Sequence, residues 1–303
     1  MSDVGPIFEC VPNFSEGCRP EVLEALRRAA DVPQVQVLGI DSDVDHNRAV
    51  LTLVGPGPAL SEAVFRTMQT AMEQIDLRRH QGLHPRIGAV DVVPFVPWHQ
   101  ADMAGAIALA HALGERVGAE LQLPVFFYGE AALIDGHRRL AQVRRGQFEG
   151  LEARLATDPP DRGPRHPHPS AGAVAIGARR LLIAFNVYLG TTDLAVARAI
   201  ARSVRGSSGG LVGVQALAMD TRRQGRLQVS MNLIDYPTTP LPQALEFVRR
   251  EAARFGVSVL ETEVVGLMPL QAVQDIVRYY LQMPRFDHTQ VLETALGNSA
   301  EWQ

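Results

Sequence analysis

The sequence predicts an α+β protein built from two βαββαβ units, each a sheet with helices packed on one face. Three observations predict it. Segments with strand and helix periodicity follow one another in the order β-α-β-β-α-β in the first half of the chain. The second half repeats that order. Between the halves, residues 156–172 hold five prolines in seventeen residues, a composition that denies the segment regular structure.

In the first half, residues 7–11 read as a strand. Pro20 opens a helix, because its fixed φ suits a first turn, with Val22, Leu23, Leu26 and Ala29 on one face. Strands follow at residues 35–40 and 48–54. A long helix covers residues 58–75, where Leu60, Val64, Met68, Met72 and Ile75 recur at helical spacing. Residues 89–96 form the next strand. An added helix carries the stripe Met103, Ile107, Ala110, Leu113, Val117 and Leu121, and an added strand covers residues 125–128. His111 in that helix reads as a packing residue.

In the second half, residues 181–189 read as a strand and 193–204 as a helix. Residues 212–219 and 227–234 form a hairpin around Arg222-Arg223-Gln224-Gly225. A helix at 242–255 turns Leu245 and Val248 inward. A strand at 257–265 and a closing helix at 270–281 complete the unit. No sequence identity between the halves is evident, so the repeat is one of topology. The inference is two ferredoxin-like sandwiches, residues 1–172 and 173–303. Along the 227–233 run, Leu227, Val229, Met231 and Leu233 alternate with Gln228, Ser230 and Asn232. One face suits helices, and the other is polar. Asn186 is likewise set within an apolar run. A sheet with helices on one side has a bare face. Two such faces can meet across a ligand tunnel that Asn186 and Asn232 would line. Plain solvent exposure is the alternative.

Composition narrows the class. At 303 residues and 46% hydrophobic content, the chain can bury a large core without staples. A formal net charge of −4 argues against a nucleic-acid binder, which needs a basic face. Cys10 and Cys18 form neither a disulfide framework nor a metal pattern. The N-terminus has no basic and apolar signal sequence, and no apolar run approaches the roughly 18 residues that span a bilayer. A cytoplasmic protein is expected.

Residues 78–91 are the most informative connection. They place two histidines, His80 and His84, with Arg78, Arg79 and Arg86 between a helix and an apolar strand. Loops that combine imidazole, guanidinium and special backbone residues carry chemistry. His84 precedes Pro85, which pushes its backbone away from the helical region and presents its ring at a turn. The Pro-rich segment reads either as a spacer or as a rigid binding loop. For the second, Arg165, His166, His168 and Ser170 supply polar groups while Gly163 and Gly172 permit close backbone approach. Asp41-x-Asp43-x-Asp45 resembles the start of a calcium loop, but His46 and Thr52 stand where Gly and Glu are required. His166-Pro167-His168 could seat zinc with Asp41 or His84, but alternate residues separated by Pro rarely form a clean site and no cysteine helps, so no metal is expected. No phosphate loop, dinucleotide glycine motif or serine elbow is present. The glycines and serines of residues 206–210 read as a helix stop.

Several motifs carry a specific resemblance. They are Glu9-Cys10-Val11-Pro12-Asn13-Phe14-Ser15-Glu16-Gly17, the Asp41 to Arg48 segment, His84-Pro85-Arg86-Ile87-Gly88-Ala89, Asp91-Val92-Val93-Pro94-Phe95-Val96-Pro97 and Leu182-Ile183-Ala184-Phe185-Asn186. Gln228-Val229-Ser230-Met231-Asn232-Leu233 and Val265-Gly266-Leu267-Met268-Pro269-Leu270 complete the set. Together they resemble the glutamate formimidoyltransferases, the transferase part of formiminotransferase-cyclodeaminase, over nearly the whole chain. The sequence stops where the deaminase part begins, so a monofunctional transferase is expected. The resemblance implies transfer of a formimino group from N-formimino-L-glutamate to N5 of tetrahydrofolate, late in histidine breakdown. It also implies a homodimer and a folate tunnel, with tetrahydrofolate as co-substrate and no metal. The catalytic histidine carries over onto His84, with Asp41 as a second catalytic candidate. The folate loop carries over onto Gly163, Pro164, Arg165, His166, Pro167, His168, Pro169, Ser170, Ala171 and Gly172. Asn13, Arg48, Arg86, Asn186 and Asn232 are the remaining binding candidates.

The chemistry suits those residue types. The N5 amine must lose a proton and the departing glutamate nitrogen must gain one, and a single imidazole can do both in turn. Asp41 would orient the ring or meet the cationic amidine, and Arg48 and Arg86 would hold glutamate carboxylates. Members of the family often carry Glu where this chain has Leu83, and the animal form has a Trp near Ala171. Formyl transfer from N-formylglutamate is therefore the close alternative. A folate-binding protein without turnover is the alternative from another class, and a metal-dependent amidohydrolase is more distant.

Overall fold

The computed structural model of the protein describes residues 5–221 and 226–296. The chain forms two compact units, Met1–Arg180 and Leu181–Gln303. In the first, β1 (Ile7–Cys10) and β2 (Asn13–Phe14) are two pieces of one strand. The break falls at Val11 and Pro12, where proline has no N–H to give the ladder. α1 (Pro20–Ala29), β3 (Gln36–Asp43), β4 (Arg48–Pro56), α2 (Gly57–Gln74) and β5 (Val90–Pro97) follow. The antiparallel order β3-β4-β1/β2-β5 is that of a ferredoxin-like sandwich.

Three additions extend this sheet. α3 (Met103–Arg116) runs into a single π turn, Val117–Leu121, and leads to β6 (Val125–Gly129). The short helices α4 (Leu140–Val143) and α5 (Leu151–Leu155) come next. β7 (Val174–Ala178) then inserts between β5 and β6, parallel to both. Sequence periodicity missed β7. It is buried on both faces and so does not alternate, and its Ala and Gly are weak strand formers. Because β7 is bonded in the first sheet, the first unit runs to Arg180 rather than stopping at residue 172.

The two faces of this sheet are covered differently. Phe14, Leu26, Leu51, Leu60, Phe65, Met68, Phe95 and Phe127 form the main core beneath α1, α2 and α3. On the opposite face, Val92, Phe126 and Tyr128 pack against Val143, Leu151 and Leu155 of α4 and α5. That second cluster covers the added strands and the start of β5. The rest of the ferredoxin-like part keeps a face bare of this unit's own helices, carrying Glu9, Asn13 and Arg48.

The second unit comprises β8 (Ile183–Leu189), α6 (Leu194–Val204), β9 (Val214–Thr221), β10 (Arg226–Leu233), α7 (Leu241–Ala253), β11 (Val259–Val265), α8 (Leu270–Tyr280) and α9 (Leu292–Leu296). Its antiparallel order β11-β8-β10-β9 is again ferredoxin-like. The predicted turn Arg222-Arg223-Gln224-Gly225 lies outside the described residues. Phe185, Val187, Leu227, Val229 and Met231 face Ile200, Ala244 and Val248 of α6 and α7. Asn186, Tyr188, Gln228 and Ser230 occupy the other face. Glu261 and Glu263 of β11 join them through the register Glu261↔Tyr188 and Glu263↔Asn186. That face is therefore polar along β10 and acidic at its edge, which the β10 sequence alone did not reveal.

Among the described residues no helix is long and apolar enough to cross a membrane. His111 packs tilted on Phe127 with its Nε2 at 2.8 Å from the Ala131 carbonyl.

Candidate active site

The connection from α2 to β5 is pinned at both ends. At its start it meets the β3–β4 turn. Asn47, at φ 46°, adopts the left-handed conformation that Asn tolerates. Its Oδ1 accepts from the Gly17 amide at 2.8 Å and its Nδ2 donates to the Gln81 carbonyl at 2.8 Å. The Leu83 amide donates to the Asp45 carbonyl at 3.2 Å. Gly82 allows this approach, since a Cβ there would lie 2.3 Å from the His46 carbonyl oxygen. The connection is also sewn to the Pro-rich segment, near its start through Leu77 and at its end through Ile87 and Ala89. Ala89 N donates to Ala171 O at 3.0 Å, Ala173 N to Ile87 O at 3.0 Å and Leu77 N to Ser170 O at 2.8 Å. A Cβ on Gly88 would stand 1.9 Å from the Ala173 carbonyl oxygen.

This pinning draws Asn13, Phe14, Ser15, Asn47, Arg48, His80, His84, Arg86 and Asp91 together around a narrow, tightly closed pocket. His84 is half-buried there. Burial holds its pKa far below the usual imidazole range, helped by the positive fields of Arg48 and Arg144 and by His46. The ring is therefore neutral at physiological pH. The His46 ring stands edge-on to it at 6.4 Å. His46 is itself held by Asp43, whose Oδ1 meets the His46 amide at 2.7 Å and Nδ1 at 3.0 Å.

The three arginines around the pocket differ in their partners. Arg86 is buried and forked onto Glu149 at 2.7 and 3.0 Å, and its Nε donates to His80 Nδ1 at 3.1 Å. A guanidinium can only donate, so His80 Nδ1 is an acceptor and its Nε2–H points to the Asn47 carbonyl at 2.9 Å. Burial lowers the His80 pKa, which agrees with a neutral, fixed tautomer. Arg144, at the end of α4, donates from Nε to Asp91 Oδ2 at 2.9 Å, and a second nitrogen reaches the same oxygen. Asp91 Oδ1 also accepts from the Ile87 amide at 2.8 Å. Arg48 bonds only the neutral Asn13 Oδ1 among the described residues, through Nε at 3.0 Å and through Nη2. Burial first, then Arg144, lowers its pKa to about 10, so it stays charged at neutral pH. Arg48 is thus the pocket arginine whose charge no carboxylate bonds. Arg86, expected to bind substrate, has its fork occupied by Glu149.

The other sequence candidates scatter. Asp41 shares the sheet face of Asn13 through the register Asp41↔Val50↔Asn13, but it is exposed on β3 and outside the pocket lining. The Pro-rich segment divides in two. His168 and Gly172 exchange backbone hydrogen bonds at 2.9 Å, His168 Nδ1 accepts from the Ala171 amide at 3.1 Å, and Ser170 to Gly172 abut the histidine connection. Gly163, at φ 79°, instead packs under β6, where a Cβ would meet the Leu123 carbonyl oxygen at 2.5 Å. Arg165, His166 and Pro169 are exposed, and Pro164 and Pro167 half-buried. Asn186 and Asn232 lie in the second unit. Asn186 donates to Glu263 Oε2 at 3.1 Å, and Asn232 is exposed. Leu83 is exposed and outside the lining. Sequence reasoning missed the roles of Arg144, His46, Asn47 and Ser15, whose hydroxyl donates to the Gly88 carbonyl at 2.7 Å. Asn47 and Ser15 fall within quoted motifs. Arg144 lies in a stretch without periodicity and had no signal. Among the described residues no group of three His, Cys, Asp or Glu could hold a metal ion.

A neutral imidazole beside an unpaired guanidinium, in a pocket too small for a macromolecule, defines a site for acid–base chemistry on a small anionic substrate. Residues 7–179 match the N-terminal subdomain of the formiminotransferase domain, and residues 184–294 match the formiminotransferase domain itself. The chain belongs to the formiminotransferase family. It is 42% identical to a glutamate formimidoyltransferase of Streptococcus pyogenes over 96% of this chain and 98% of that one. A glutamate formimidoyltransferase of Thermoplasma acidophilum is 42% identical over 98% and 99%. The formimidoyltransferase-cyclodeaminase of Gallus gallus is 40% identical over 91% of this chain and 52% of its own length.

Proposed function

We propose that the chain transfers the formimino group of N-formimino-L-glutamate to N5 of tetrahydrofolate, giving 5-formimidoyltetrahydrofolate and glutamate. The observation that carries this reading is the neutral His84 ring beside the unpaired Arg48, in a member of this family. The N5 lone pair adds to the amidine carbon, and His84 takes the proton that N5 sheds. The tetrahedral adduct collapses when the imidazolium returns that proton to the glutamate nitrogen and the C–N bond to glutamate breaks. One side chain serves both half-steps. Arg48 holds a donor carboxylate. The donor's carboxylates also offset the positive field around His84, making it a better base when substrate is present than when it is absent. Asp41, exposed and two strands from Asn13, favours the cationic amidine through its field rather than by contact. The same reading has a cytoplasmic homodimer that acts on small molecules, with tetrahydrofolate as co-substrate and no metal.

The test is to incubate purified protein with tetrahydrofolate and formiminoglutamate and follow free glutamate. Release that depends on folate and survives a chelator is expected. No release from protein that binds folate would reject the reading in favour of a binding protein. Release without folate points to a hydrolase. N-formylglutamate in parallel identifies the donor.

A further inference from the structure

We propose that the Glu9 carboxylate, on the bare face of the first sheet, binds the 2-amino-4-oxo edge of the acceptor's pterin ring. The proposal rests on tetrahydrofolate being the acceptor and adds the residue that recognises its ring. Phe8 and Cys10 point into the helix-side core, so Glu9 points the other way, as does Asn13 with Phe14 in that core. Glu9 and Asn13 therefore share the face on which Arg48 and Asn13 line the pocket.

Glu9 is half-buried, yet among the described residues no hydrogen bond or ion pair engages its side chain. Several other buried or half-buried carboxylates of the chain are satisfied. Glu16 accepts the Cys18 and Arg19 amides, Asp91 binds Arg144, and Asp158 binds Arg154. A carboxylate kept from water without donors costs free energy unless a ligand supplies them. Burial raises the Glu9 pKa, and Arg179 pulls it back, favouring the ionised form without occupying its oxygens. Tyr128, whose ring lies against Gly177, stays protonated beside Arg179, its pKa pushed up to about 12.

The donor pattern selects the ligand. An ionised carboxylate offers two parallel acceptors, and the pterin edge offers two parallel donors, N3–H and the 2-amino group. The spacing also fits. Four residues of extended chain from Glu9 to Asn13 span about 13 Å. That is the length of a bicyclic ring with a hydrogen bond at each end, which brings N5 toward the His84 pocket.

The experiment measures binding of tetrahydrofolate and of its 2-deamino analogue to the full chain, wild type and Glu9→Gln, by anaerobic calorimetry. Wild type should bind the 2-deamino analogue roughly 10- to 100-fold more weakly, the worth of one charge-assisted hydrogen bond. Glu9→Gln should weaken tetrahydrofolate by a similar factor and bind the two ligands within about threefold of each other, because an amide meets one donor and opposes the other. Equal binding of both ligands by wild type overturns the proposal without need of any variant. Full discrimination by a folded Glu9→Gln overturns it as well. If wild type binds neither ligand, the folate reading itself fails, and this proposal with it.

Discussion

The two units share the ferredoxin-like strand order, and the connection into the last strand of that fold differs sharply between them. In the first, residues 75–89 join α2 to β5 and carry His80, His84 and Arg86 into a pinned pocket. In the second, the equivalent link from α7 to β11 is residues 254–258, a short turn through Gly256 at φ 67°. On the sheet face near it, among the described residues, Glu263 accepts from Asn186 and Tyr188 and Glu261 is paired with Arg226. The fold supplies two similar scaffolds, and the proposed chemistry sits where one scaffold has a long connection and a partner loop to hold it.

The largest effect that would sharpen this contrast is on turnover. His84→Gln keeps a polar group but cannot relay a proton near neutral pH, so kcat should fall by about 10²- to 10⁴-fold, roughly 3–5 kcal/mol of barrier. Folate affinity should barely change. His80→Gln should cost much less, because His80 is fixed between Arg86 and Asn47. A crippled His80 variant beside an active His84 variant would reverse the assignment. The pH profile adds a sign. His84's folded pKa lies below its unfolded value of about 6.5. The neutral ring therefore persists as pH falls through 6.5, and the acid limb of kcat/KM for the free enzyme should stay flat there. The stability contribution of neutral His84 is present above about 6.5 and declines as pH falls below it, because the unfolded chain takes up the proton first. Thermal melts from pH 7 to 5 report that decline.

Next comes the pinning itself. Gly88→Ala forces a Cβ against the backbone oxygens of Ala173 and Val90, at 1.9 and 2.5 Å, so the loop and its strand must part. Denaturant unfolding should show a loss of about 3 kcal/mol. Gly256→Ala in the second unit meets nothing within 4 Å and bears only the left-handed backbone cost, about 1–2 kcal/mol. Equal losses would mean that the two connections are not held differently.

The arginines separate binding from support. Arg48→Gln should raise the KM for the donor by roughly 10- to 100-fold with a smaller change in melting temperature, since it removes a charge-assisted contact to substrate. Arg86→Gln should do the reverse, lowering stability by about 1–2 kcal/mol through the lost Glu149 fork. Steady-state kinetics and melts on both variants decide it. The smallest effect is expected in the second unit, where Asn186→Ala should leave kcat within about threefold and weaken folate by less than ~1 kcal/mol. A collapse of kcat there would place the chemistry on both sheets.

Periodicity carried most of the elements. The 2-residue and 3.6-residue patterns located both ferredoxin-like cores because each strand or helix there has one buried face. Where that asymmetry vanishes, the pattern goes silent, as at β7, buried on both sides, and at α4 and α5, too short to show a period. For the site, residue type and local backbone chemistry marked His84, and the family resemblance of the Glu9–Gly17 and Asp41–Arg48 segments drew attention to Asn13 and Arg48. The sequence by itself therefore determined the two folds and the family. It could not decide which arginine is free. Arg48 and Arg86 look alike as residues, and only tertiary contacts set Glu149 on one and leave the other with neutral Asn13. Nor could it show that Arg144 would reach Asp91 across fifty-three positions, or that Glu9 would be kept from water without a donor. Charge state and availability belong to a group's surroundings, and those surroundings are assembled from distant parts of the chain.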